Sequence, residues 1–163
     1  PSSDSPALFG GGPVLVAGSA DANGVATVTR ATAAGGNLIT GVVVGVEPSS
    51  TVTTAYRPAS VASYVYVADD PNLLYEIQED AVGGALAAAD VGLNADLVSG
   101  SGATVAGKSG VQLDTSTKAT TATLQLRIIG FVQRADNEIG ANAKVLVRLN
   151  LSTETGAAGS TGR

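Results

Sequence analysis

No His, Cys, Met or Trp occurs among the 163 residues of this chain. A Ser-His-Asp triad, a cysteine nucleophile, a histidine or thiolate metal site and a disulfide framework are therefore impossible within one chain. Aromatic residues make up only 4% of the chain, four Tyr and two Phe. Paired carboxylates for glycoside hydrolysis would need a sugar cleft, and such clefts are usually rich in aromatics, so that chemistry is poorly supplied. Charge is sparse as well, at 14%, and unbalanced: nine Lys and Arg against 14 Asp and Glu leave a net −5. The basic residues are scattered singly, whereas phosphate binding needs a basic stripe, so no nucleic-acid partner is expected. Long apolar runs are also missing. Glycine or threonine interrupts every candidate within about ten residues, short of the ~20 that a membrane-spanning helix requires, and no membrane partner is expected.

What remains is rich in small and β-branched residues, with 44% hydrophobic residues and 21 glycines. Many short Val, Ala and Thr segments punctuated by glycine turns form an all-β signature. The clearest segment runs from Ala122 to Leu151. Leu124, Leu126 and Ile128 fall on one face while Thr123, Gln125 and Arg127 fall on the other, the period-2 pattern of a half-buried strand. Val145, Val147, Leu149 and Leu151 repeat it, opposite Lys144, Arg148 and Asn150, with Leu146 interrupting the polar face. Gly130 breaks the first strand and suggests a bulge or a close backbone approach. The connecting loop, Arg134 to Asn142, holds a single isoleucine, Ile139, in a polar run. Together these make the closing hairpin of a β-sandwich.

The length suits one domain with a real core. Residues 1–12, rich in Ser, Pro and Gly, read as an N-terminal arm, residues 13–151 as a single β-sandwich domain, and residues 152–163 as a flexible tail. Within the domain, Val14 to Ala17 and Val25 to Arg30 flank an Asn-Gly turn at Asn23-Gly24. Strands are expected at Leu38 to Val46, Thr51 to Tyr56 and Ser63 to Ala68. Asp69-Asp70-Pro71-Asn72 is expected to turn the chain into Leu73 to Gln78 as a second hairpin. From Ala81 the spacing of Val82, Leu86, Leu93 and Leu97 becomes helical, and Gly83, Gly84 and Gly92 limit it to one or two short helical turns. A loop over Ser99 to Gly110 and a weak strand near Val111 to Leu113 follow. Pro1 fits removal of an initiator methionine, and no basic-then-apolar leader follows it, so synthesis in the cytoplasm is expected.

The sharpest formal motif is Gly102-Ala103-Thr104-Val105-Ala106-Gly107-Lys108-Ser109, which satisfies the phosphate-loop pattern at each required position. That chemistry needs a strand before the loop and a helix after it, so that backbone amides converge on the phosphates. Strand and turn material follows Ser109 instead, and a solvated lysine in a small-residue loop is the plainer reading. Asp69, Asp70, Glu79 and Asp80 could hold calcium through oxygen, but carboxylates beside a turn proline are more often turn formers. Tyr56, Tyr64, Tyr66 and Tyr75 read as packing residues before partner contacts. No enzymatic activity, cofactor or metal is expected.

The chain resembles the small head decoration, or cement, proteins of tailed bacteriophages. The resemblance rests on Tyr75-Glu76-Ile77-Gln78, Gly92-Leu93-Asn94-Ala95-Asp96, Val111-Gln112-Leu113-Asp114, Leu126-Arg127-Ile128, and Asn137-Glu138-Ile139-Gly140-Ala141-Asn142-Ala143-Lys144. It spans about Leu73 to Leu149, roughly half the chain. The resemblance implies a jelly-roll-like β-sandwich forming a homodimer or homotrimer on the outer surface of an icosahedral capsid. There it would bridge neighbouring major capsid protein subunits and oppose the outward force of packaged DNA. Pro6, Leu8 and Phe9 of the arm and Asn137 and Ile139 of the hairpin loop are the candidate interface residues. A receptor- or carbohydrate-binding β-sandwich module of a virion or cell surface is the alternative, and it would carry an exposed aromatic cluster.

Overall fold

A computed structural model describes residues 6–156 and 158–163. The chain is nearly all-β, with two antiparallel sheets, as a β-sandwich requires, and a single 3-10 turn at Ala88–Asp90 among the described residues. No helix among them is long and apolar enough to cross a membrane. By its internal contacts the chain divides into two compact units, each assembled from three separate segments.

The first unit draws on Pro1–Ala31, Ile39–Asp70 and Gly100–Gly110. Its four strands, β1 (Pro13–Ala20), β2 (Ala26–Arg30), β3 (Gly41–Val46) and β4 (Val65–Ala68), lie in the order β2-β1-β3-β4. The β1–β2 turn is the expected Asn-Gly one, with Gly24 at φ +78°, where a Cβ would be strained. Leu8, Val14 and Val43 form the buried cluster, and Val28, Val46, Val65 and Val67 pack against it. Alternation leaves Val44 and Tyr66 exposed, at 66% and 56%.

The second unit draws on Thr32–Leu38, Pro71–Ser99 and Val111–Arg163. Its strands are β5 (Tyr75–Gln78), β6 (Asn94–Val98), β7 (Gln112–Ala119), β8 (Leu126–Phe131) and β9 (Lys144–Leu149), ordered β5-β9-β8-β6-β7. Leu126 pairs with Leu149 and Ile128 with Val147, and the apolar face read from the sequence is buried throughout. Each such Leu, Ile or Val contributes roughly 1.5–3 kcal/mol of burial. Gly130 sits at a register shift between Ile128 and Gly130, the expected bulge.

Four local expectations are corrected. Thr51 to Tyr56 is irregular, because Ser49 Oγ accepts the N–H groups of Thr51 and Val52 and so offers the backbone an alternative to a ladder. β4 and β5 are not a hairpin, since β4 pairs with β3 and β5 with β9. The spacing of Leu93 and Leu97 does not mark a helix there, for both lie in or beside β6, and β6 is buried along most of its length. Gln125 is fully buried, although its face of the strand was expected to be solvated.

Gln125 explains how Thr32–Leu38 joins the second unit. Its Nε2 donates to the carbonyls of Thr32 and Asn37, at 2.8 and 3.2 Å, and its Oε1 accepts from the N–H groups of Ala34 and Leu97, at 3.2 and 3.3 Å. The last residues are tied to the same unit. Asn150 Oδ1 accepts from Ser160 N–H, Asn94 Nδ2 donates to Ser160 O, Gly162 N–H donates to Thr120 O and Arg163 N–H donates to Gly92 O.

Candidate functional site

The loop between β8 and β9 is built around Asn137. Its Nδ2 donates to the carbonyls of Val132 and Lys144, both at 2.8 Å, while its Oδ1 accepts Lys144 N–H at 2.7 Å. One side chain thus cross-links both ends of the loop. The residue was a candidate contact; the structure places it as the loop's internal brace. Asn142, at φ +62°, supplies the left-handed step that returns the chain to β9, a conformation Asn tolerates.

Charge frames the loop. The Arg134 guanidinium grips Glu76 of β5 through two bonds, at 2.9 and 2.8 Å, and reaches Asp136 at 3.1 Å. Lys144 Nζ lies 3.3 Å from the other Asp136 oxygen. Glu76 and then Asp136 raise the Arg134 pKa, and Lys144 followed by Arg134 holds Asp136 below the usual carboxylate value. These groups are exposed, where such pairs contribute only about 0–1 kcal/mol each, so they orient the loop more than they stabilise it. The loop presents Ile139 to solvent at 56% exposure.

The arm residues are placed differently. Leu8 is 2% exposed and belongs to the core of the first unit, with backbone bonds to and from Arg57. It is therefore not available to a partner in this conformation, because its side chain fills the core beside Val14 and Val43. Phe9 stacks on Tyr56, ring centroids 4.7 Å apart and 14° from parallel, and its ring is backed by Gly102. The Pro6 carbonyl accepts from the buried Arg57 guanidinium. Pro6 and Phe9 are half-buried. The structure does not bring these three residues together with Asn137 and Ile139 in one unit.

The phosphate-loop motif folds as a tight turn. Ala103 N–H donates to Lys108 O and Gly107 N–H to Ala103 O, both at 2.8 Å, and the next element is β7, a strand. No helix N-terminus is there to receive a phosphate. Of the calcium candidates, Glu79 Oε2 accepts Ala81 N–H, and Asp80 Oδ1 accepts from Thr115 N–H and Oγ1–H. Among the described residues no group of three or more metal-ligating side chains comes together.

Tyr64 has a local role that its sequence position did not announce. Its hydroxyl donates to Asp21 Oδ2 at 2.7 Å, and Asp21 Oδ1 accepts the N–H groups of Asn23 and Val25. The Tyr64 bond, then that of Val25, holds the Asp21 carboxyl below its ordinary value. This fastens the β1–β2 turn to the residue preceding β4. No family model, no curated protein and no solved structure matches the chain.

Proposed function

We propose that this chain is a non-enzymatic structural protein of a virion. In this reading it decorates the outer surface of an icosahedral phage head and bridges neighbouring major capsid protein subunits as a homodimer or homotrimer. The observation that carries the proposal is where the resembling segment falls. Leu73 to Leu149 supplies all five strands of the second unit's sheet, together with the braced loop that holds Ile139 outward. A loop fixed by its own hydrogen bonds loses little conformational entropy on docking, which favours a contact role. A symmetric oligomer would then multiply weak contacts into avidity of about 10²-fold or more.

The test is addition of the purified protein to expanded heads. Saturation at a fixed stoichiometry is expected, with occupancy sharply reduced by Ile139→Asp while the melting temperature is retained. Failure of the unaltered protein to bind any head would overturn the proposal. Undiminished binding of Ile139→Asp would remove the loop from it.

A further inference from the structure

The basic residues scattered along the sequence do not stay scattered in the second unit. In the β8–β9 ladder Arg127 stands directly across from Arg148. Side chains so opposed share one face with their Cβ atoms roughly 5 Å apart, and like charges there repel. A third cation joins them. Arg163 is positioned by the bond from its N–H to Gly92 O, and with Arg127 it lines an open groove of about 460 Å³. The groove's apolar lining includes Val91 and Ile129, each 39% exposed.

Elsewhere in this unit cations are neutralised. Lys118 pairs with Asp90, Arg134 with Glu76 and Asp136, and Lys144 with Asp136. The guanidinium groups of Arg127, Arg148 and Arg163 make no ion pair or hydrogen bond among the described residues. A chain with 14 acidic side chains has many ways to pair three arginines, yet these are set together and left unpaired. A local arrangement that costs stability without an internal return is what a binding site looks like.

We propose that this groove and its three arginines dock an acidic polypeptide segment of a partner protein, with carboxylates on the guanidinium groups and an apolar side chain against Val91 and Ile129. Guanidinium groups bind carboxylates through paired, charge-assisted hydrogen bonds, and adjacent arginines suit carboxylates spaced along an extended chain. A nucleic acid fits less well. No aromatic ring lines the groove for base stacking, and the net charge of −5 opposes a polyanion. The inference concerns the chemistry of the partner and holds whether or not that partner is a coat subunit.

The probe is a fluorescein-labelled peptide of alternating Glu and Val, titrated with the full chain at low and high salt. Salt-sensitive binding is expected, with amide shift changes centred on Val91, Arg127, Arg148 and Arg163. The double variant Arg127→Gln, Arg148→Gln should weaken binding by about tenfold or more. Its melting temperature should be unchanged or higher, because a repulsive pair is removed. Arg163→Gln, which leaves the β8–β9 ladder untouched, should also weaken it. A Lys-Val peptide should not bind. Peptide binding equal in all variants, or no binding by the unaltered chain, would overturn the proposal. Preference for oligothymidylate or for anionic vesicles over the peptide would reassign the groove to a different partner and overturn it equally.

Discussion

At the scale of single residues, the informative groups are carboxylates whose surroundings pull in opposite directions. Asp96 is buried, and burial raises its pKa above the ordinary 3.8; Gln125 and Gly35 N–H groups oppose this, and Asp114, its cross-strand neighbour, adds repulsion. Between 3.8 and that raised value the folded chain binds more protons than the unfolded one. Stability from this group therefore falls as pH rises through the window and stays lower above it. Asp114→Asn keeps an acceptor for Ser116 N–H while removing the negative charge. In that variant the Asp96 pKa should move down yet remain above 3.8, since burial is the leading cause, and stability at pH 7 should rise. Carboxyl NMR titration with thermal melts checks both, and an unmoved Asp96 would contradict the pairing. Asp80 and Asp90 behave oppositely. Burial raises both, but hydrogen bonds outweigh it: from Thr115 and Val82 for Asp80, and from Lys118 and Ala87 for Asp90. Their lowered pKa values give stability that is full above 3.8 and lost as pH falls through the folded values.

At the scale of elements, glycines of similar sequence context do different work. Gly130 lies in the β8 bulge, a Cβ there would meet nothing within 4 Å, and its φ is not in the left-handed region. Gly130→Ala should be neutral or stabilising by about 0.4–1 kcal/mol through the unfolded chain. Gly100 packs its backbone on the carbonyl of Gly110, so Gly100→Ala must displace main chain and should cost about 1–3 kcal/mol. Urea melts of the two variants should separate in that order. The strands β8 and β9 were legible because half-buried strands write their alternation into the sequence, from Leu124 to Ile128 and again from Val145 to Leu151. β6 was not, because Leu93 and Leu97 happen to repeat at four residues while their burial comes from neighbouring chain. Partner choice was equally hidden: Asp69 to Asn72 signals a turn, but nothing local says that β5 will pair with β9. The candidate loop could be read as polar with one isoleucine. That Asn137 braces it, and that Arg127, Arg148 and Arg163 meet, depends on pairings between distant segments.

At the scale of the whole molecule, neither unit is continuous in sequence. The second borrows Thr32–Leu38 from a point far upstream, and Gln125 is the residue that receives it. A fragment running from Pro71 to Arg163 would contain every strand of the five-stranded sheet and still lack three of the four partners of the Gln125 amide. Leaving a buried amide so unmet costs about 1–3 kcal/mol for each lost partner group. The fragment should therefore be loosely packed by near-ultraviolet circular dichroism and amide exchange, and a Gln125→Leu version of it should be tighter. A cooperative, fully protected fragment would show that the upstream segment is dispensable.

The same Gln125 contact sets a schedule for synthesis. Ala34 N–H and the Gln125 side chain that receives it are 91 positions apart. At about 5–20 residues per second, the upstream segment waits roughly 5–20 s after leaving the ribosome before its acceptor has been made. During that interval its backbone amides are paid for by water alone, and the second unit cannot close. Its completion is timed by translation of the β8 region, late in the chain.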